Sequence, residues 1–117
     1  MKVKLTEPPR EFGVGLKGDI TLTDCAHIEL DANEQVTFLS PGGHEYDVVR
    51  KPWGYYATPS INGRLRDNGY RTALVENSNG RFYIMLVEEE RLSEFEEYCR
   101  DDKQSVVEWL DERRSES

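Results

Sequence analysis

The residues of this chain with the clearest capacity for chemistry gather between Arg50 and Arg71, in RKPWGYYATPSINGRLRDNGYR. Five cations (Arg50, Lys51, Arg64, Arg66, Arg71) stand there against one anion, Asp67, a local charge of +4 in a chain whose net charge is −8. Trp53, Tyr55, Tyr56 and Tyr70 are interleaved with them, together with Asn62 and Asn68. Arginine forks bind carboxylate or phosphate in bidentate fashion. Aromatic rings stack on flat partners and on guanidinium groups, and asparagine amides complement hydroxyls. Trp53, Tyr55, Asn62, Arg64, Arg66, Asn68 and Arg71 are therefore the expected ligand-binding set, suited to a small anionic or sugar-bearing molecule. The structural alternative is that the arginines pair with the protein's own carboxylates while Trp53 and Tyr55 fill the core.

Other chemistries have weaker support. His27 and His44 are the only histidines, in no HxH, HxxxH or HExxH arrangement. His44-Glu45-Tyr46-Asp47 follows a glycine pair and offers nitrogen and oxygen ligands, but a cupin metal strand has a second histidine that is missing here. A metal would require His27 and His44 to converge with Glu45 or Asp47, so no metal and no cofactor are assigned. Cys25 and Cys99 form no CxxC pair and are read as reduced thiols. Cys25 and His27 would share one face of a strand, the only nucleophile–base pairing on offer. Carboxylate pairs such as Glu29/Asp31 and Glu45/Asp47 arise readily by chance in an acidic chain. Gly13-Val14-Gly15 lacks the remainder of a phosphate loop, and no serine elbow or dinucleotide fingerprint is present. No catalytic residue is assigned.

The elements that must position the segment are mostly strands. Residues 1–18, with Pro8, Pro9 and three glycines, read as an extended arm with turns. From Asp19 to Leu30, Ile20, Leu22, Ala26, Ile28 and Leu30 hold one parity, the period-2 mark of a half-buried strand, or of two short strands bent near Asp24. Val36–Phe38 starts a further strand, Ser40-Pro-Gly-Gly43 is a hairpin turn, and 44–50 returns. Trp53–Thr58 is β-prone, and residues 59–69, with two Asn-Gly turns, form a compact loop. Tyr70–Glu76 and Arg81–Glu88 are a hairpin joined by Asn77–Gly80. The second of these is apolar on both parities, which predicts a central strand covered on both faces. At Glu89–Arg100 the period changes: Leu92, Phe95 and Tyr98/Cys99 mark an amphipathic helix with a solvated acidic face. Residues 104–110 read as a final strand on their Val and Trp content, with a helix as competitor. The polar stretch 111–117 is expected to be a flexible tail.

The expected architecture is one mainly-β domain over residues 1–117, an antiparallel barrel or sandwich of about six to eight strands with one C-terminal helix. At 117 residues the chain is long enough for a single core without staples. Its acidity disfavours a nucleic-acid binder, because phosphate neutralisation supplies most of such affinity. No signal-type or membrane-spanning run is visible, so no membrane partner is expected and the cytoplasm is the expected location. Oligomeric state is left open.

Taken together, GDITLTDCAHIEL…EQVTF, EYDVVRKPWGYYATPSINGRL, GRFYIMLVE, EFEEYC and VVEWLD cover nearly the whole chain. The pattern resembles a group of small uncharacterised bacterial proteins, some from cell-surface polysaccharide or glycan gene sets. That resemblance implies accessory work near sugar-nucleotide chemistry and carries over no site residue. The leading expectation is a non-catalytic accessory or binding module using residues 50–71 for an anionic or sugar-containing ligand or an acidic protein surface. Two alternatives stand beside it: a small cupin-like enzyme acting on a sugar or sugar nucleotide, and a protein–protein adaptor using an edge strand or the acidic helix.

Overall fold

A computed structural model describes residues 1–113. The chain is mainly β, as expected. Its elements are β1 (Lys2–Val14), β2 (Ile20–Glu29), β3 (Gln35–Leu39), β4 (Glu45–Lys51), β5 (Gly54–Ala57), α1 (Arg64–Asp67), β6 (Tyr70–Glu76), β7 (Phe82–Glu88), α2 (Leu92–Asp101) and β8 (Ser105–Trp109). The strands form three open sheets, ordered β1-β2, β3-β4-β5 and β7-β6-β8, none of which closes into a barrel. Two compact units divide the chain: residues 1–37 with 47–58, and residues 38–46 with 59–117.

In the first unit, β1 and β2 make a long antiparallel ribbon. The arm expected at residues 1–18 is thus largely a paired strand. Pro8 and Pro9 cannot donate to a ladder, and they lie where the register shifts between Leu5 and Arg10. β2 runs unbroken from Ile20 to Glu29, one strand and not two, and Asp24 falls opposite this irregularity, since Arg10 pairs with Asp24 and Leu5 with Ala26. The pairs Val3–Ile28, Leu5–Ala26, Phe12–Leu22 and Val14–Ile20 gather the apolar parity on one face.

The β4–β5 hairpin closes tightly, with Lys51 opposite Gly54 and only Pro52 and Trp53 between them. Gly54 has φ +152°, a backbone state that side-chain-bearing residues rarely adopt. Behind the hairpin, the Arg50 N–H donates to the Glu34 carbonyl (3.0 Å) and the Asn33 N–H to the Arg50 carbonyl (2.7 Å). These bonds fix the main chain of β4 at the point where Arg50 leaves it.

In the second unit β6 is central, with Thr72, Ala73 and Val75 buried. The expectation that residues 81–88 form the central covered strand is corrected. β7 is an edge, and Phe82, Tyr83 and Ile84 are exposed. Apolar content on both parities is not burial: the small residues Thr72 and Ala73 on β6 are what allow a strand to be covered on both sides. The Asn77 carboxamide oxygen accepts from the N–H groups of Asn79 (3.0 Å) and Arg81 (2.9 Å), which shapes the β6–β7 turn.

Helix α2 buries Cys99 and sets Phe95 edge-on to Trp109 at 5.9 Å, leaving its glutamates outside. The final strand forms as its β-branched residues predict. The expected loop 59–69 contains one helical turn, α1, which inserts Leu65 at 1% exposure. Asp111, expected in the tail, lies in a 3-10 turn (Leu110–Glu112) and is 3% exposed. Its carboxylate is drawn inward by the arginines described below. Residues 114–117 of that expected tail lie outside the described residues.

Candidate functional site

The residues singled out between 50 and 71 fall into both units. Trp53 and Tyr55 belong to the first; Asn62, Arg64, Arg66, Asn68 and Arg71 belong to the second.

In the first unit the β4–β5 hairpin displays its rings. Trp53 is 72% exposed, Tyr55 58% and Tyr56 44%. Neither Trp53 nor Tyr55 fills a core. Trp53 and Tyr56 stack at 6.1 Å with an interplanar angle of 21°. Tyr55 stands opposite Arg50 in the ladder, and the Arg50 guanidinium lies over its ring at 5.0 Å while donating to the Gly54 carbonyl (3.1 Å). The Lys51 ammonium donates to the Asn33 carboxamide oxygen at 2.5 Å. The hairpin therefore presents two separate stacking surfaces, Tyr55 beneath Arg50 and, because neighbouring strand side chains point to opposite faces, Tyr56 stacked with Trp53 on the other side, with Lys51 beside the turn. It can stack on a flat partner and attract negative charge.

In the second unit Arg66 and Arg71 take the other course. The Asp111 side chain is fully buried and accepts from the Thr72 N–H (3.1 Å) and Arg71 Nε (3.2 Å), with Arg66 Nη1 at 3.4 Å. Arg71 Nη2 donates to Glu112 at 2.6 Å, and its guanidinium lies over the Trp109 ring at 4.0 Å. Arg71 thus has its Nε and Nη2 donors and one face of its guanidinium engaged by the protein itself. Asn62, Arg64, Arg66 and Asn68 have exposed side chains around α1.

A third cluster surrounds His44, also within the second unit. The Asn68–Gly69 turn builds it. The Asn68 carbonyl accepts from His44 Nδ1 (2.7 Å), and the Gly69 carbonyl accepts from the Glu89 N–H (2.8 Å). One turn thereby holds both the ring of His44 and the corner at Glu88–Glu90. Gly69 has φ +93°, and a Cβ there would sit 3.0 Å from His44 Cε1, so only glycine fits. His44 Nε2 faces Glu90 Oε1 at 3.2 Å, and Tyr70 packs edge-on against the ring at 5.3 Å. His44, Gly69, Glu89 and Glu90 line an open pocket of about 310 Å³. The Glu90 carboxylate, then the Asn68 carbonyl, hold the His44 proton, which raises its pKa above the usual histidine value.

The carboxylates that meet His44 are Glu88 and Glu90, not Glu45 or Asp47. Asp47 is buried and accepts from the Thr37 hydroxyl at 2.6 Å. His27 Nε2 lies 3.3 Å from the Asp24 carboxylate. Neither cysteine forms a disulfide: Cys25 is exposed and Cys99 is buried, and burial pushes the Cys99 thiol up. Residue types did not reveal the His44 cluster, because its members come from a hairpin turn and a strand end far apart in sequence. The acidic run Glu88–Glu90 beside a strand terminus was the available signal, and it also suited the helix that follows.

Comparison of the chain with family models, curated proteins and solved structures finds no match. Among the described residues no helix is long and apolar enough to cross a membrane.

Proposed function

We propose that this chain is a binding module whose β4–β5 hairpin recognises a small sugar-bearing or nucleotide-sugar anion. The observation that carries the reading is the pair of exposed ring surfaces on one hairpin, Trp53 stacked with Tyr56 and Tyr55 beneath Arg50, with Lys51 next to the turn. Exposed rings occur elsewhere in the chain, as at Phe82 and Tyr83, so the weight rests on the combination: stacking surfaces with adjacent cations suit a sugar or base joined to phosphate. The bidentate capacity of Arg71 is occupied by Asp111 and Glu112, so the hairpin supplies the recognition. The ordered backbone behind Arg50 would limit the entropy lost on binding. The chain's overall negative charge makes the site selective through stacking and local cations and not through long-range attraction.

Isothermal titration with a panel of nucleoside-diphosphate hexoses and hexose phosphates tests this. At least one should bind saturably, and Trp53→Ala should weaken it about tenfold, in line with ~1–3 kcal/mol for a stacked base. Absence of binding across the panel, or undiminished binding by Trp53→Ala, would remove the reading.

A second reading, a protein-contact module, is favoured by the β1–β2 ribbon. Val3, Leu5, Phe12, Leu22 and Ile28 are exposed and fall on one apolar face. Sedimentation velocity over a concentration series checks it: self-association lost in Phe12→Glu supports a contact role for this face, and a concentration-independent monomer removes self-association.

A further inference from the structure

The His44 cluster carries an inference independent of the ligand reading above. We propose that His44 Nε2 and the carboxylates of Glu88 and Glu90 form a binding site for a divalent transition cation of the Zn²⁺ type.

The partner of Nδ1 fixes the tautomer of His44. The Asn68 carbonyl can only accept, so at 2.7 Å from it His44 Nδ1 must carry a hydrogen. Nε2 then faces a carboxylate oxygen 3.2 Å away. A bare lone pair there would face a negative charge. Either a second proton or a bound cation must lie between the two atoms. A ligating histidine characteristically donates its other ring N–H to a carbonyl or carboxylate, which fixes the ring and raises its basicity. The Asn68 carbonyl has that position here.

Distances agree with a shared ion. Zn–N and Zn–O bonds of ~2.0–2.2 Å at tetrahedral angles place neighbouring ligand atoms roughly 3.3 Å apart. The His44–Glu90 separation of 3.2 Å already matches that edge. The ligand atoms of His44, Glu88 and Glu90 all lie within 4.8 Å of one another. Glu88 must close the larger gap. One of its oxygens is 3.2 Å from Arg91 Nε, and a carboxylate has a second oxygen with which to meet the ion. This arrangement would help hold the carboxylate, as a partner beyond the ligand shell does.

The donor set selects the class of metal. One imidazole with two carboxylates suits Zn²⁺ and its transition neighbours, whereas Mg²⁺ and Ca²⁺ prefer oxygen alone. Three protein ligands would leave a fourth position for water or a ligand, and an open pocket lined by His44, Gly69, Glu89 and Glu90 lies beside them. The site is also held from behind. The Asn68–Gly69 turn grips the histidine through one carbonyl and the acidic corner through the next, and Gly69 leaves room for the ring. Surface acids that merely share a neighbourhood have no such common anchor.

Zn²⁺ titration by calorimetry, with the Cys25→Ser protein as the parent so that the exposed thiol does not compete, provides the test. The expected result is saturable 1:1 binding, weakened about tenfold or more by either His44→Gln or Glu90→Gln and unchanged by His27→Gln. Glu90 is well exposed, with 67% of its side chain open, so its variant keeps the fold even if His44→Gln does not. Long-range ¹H–¹⁵N spectra should show the His44 Nε2 resonance moving on Zn²⁺ addition while Nδ1 stays protonated. Millimolar Mg²⁺ should leave it in place. No saturable binding, or equal binding by the Glu90→Gln protein, overturns the site. Loss on His27→Gln would place the ion elsewhere and overturn it equally.

Discussion

Arg50 and Arg71 each lay a guanidinium over an aromatic ring, Arg50 over Tyr55 at 5.0 Å and Arg71 over Trp109 at 4.0 Å. Around Arg71 the chain supplies carboxylates from Asp111 and Glu112, and the Arg71 side chain is left 12% exposed. Around Arg50 the polar partner is a main-chain carbonyl, and the ring beneath it stays 58% exposed. A cation–aromatic pair is a structural clamp in one unit and an open surface in the other. What separates them is where the acids fall. A cation–aromatic pair by itself does not distinguish a binding site from a joint; the nearest carboxylate does.

Substitutions can break that contrast in order of size. Asp111→Ala leaves the Arg71 charge and the Thr72 N–H without their buried partner, and should destabilise the protein by about 3–5 kcal/mol in urea unfolding. Leu65→Ala, removing the most buried leucine of α1, should cost about 2–4 kcal/mol in the same assay. On the hairpin, Arg50→Ala should cost only about 0.5–1 kcal/mol, the worth of an exposed cation–aromatic contact. Trp53→Ala should stay within about 0.5 kcal/mol of the parent, because the ring is open to water. A large loss of stability for Trp53→Ala would mean that the hairpin rings serve the fold and not a ligand.

The two thiols sharpen the same contrast between exposed and enclosed surface. Burial raises the Cys99 pKa, so at a given pH less of it is thiolate, and access is restricted as well. Cys25 is exposed. Ellman's reagent at pH 8 should titrate one equivalent quickly and the second only after denaturant is added. Two fast equivalents would show that α2 does not seal Cys99.

The strands were largely legible in the sequence because period-2 alternation and turn dipeptides are local signals. β2 and the β6–β7 hairpin follow from them, α2 from the change to three- and four-residue spacing, and β8 from its Val and Trp content, where a helix stood as competitor. β1 was concealed by Pro8 and Pro9, whose cost to a ladder is removed by a register shift that depends on β2. The edge position of β7 depends on which strand pairs with β8, a long-range choice that the residues of β7 do not record. The candidate residues were legible as types and not as partners. Trp53 and Tyr55 were identifiable as stacking groups, but nothing local placed Asp111 beside Arg71 or Glu90 beside His44.

The chain has two tryptophans, Trp53 on the hairpin and Trp109 beneath Arg71, so their indole N–H signals report separately on the two regions. Titrating the ¹⁵N-labelled protein with nucleoside-diphosphate hexoses and hexose phosphates, and following both indoles, puts the central claim to its most direct test. The account predicts that the Trp53 signal moves saturably with the Tyr55 and Tyr56 amides while Trp109 stays fixed. Movement of Trp109 with a static Trp53 would contradict it and assign recognition to the arginine clamp instead.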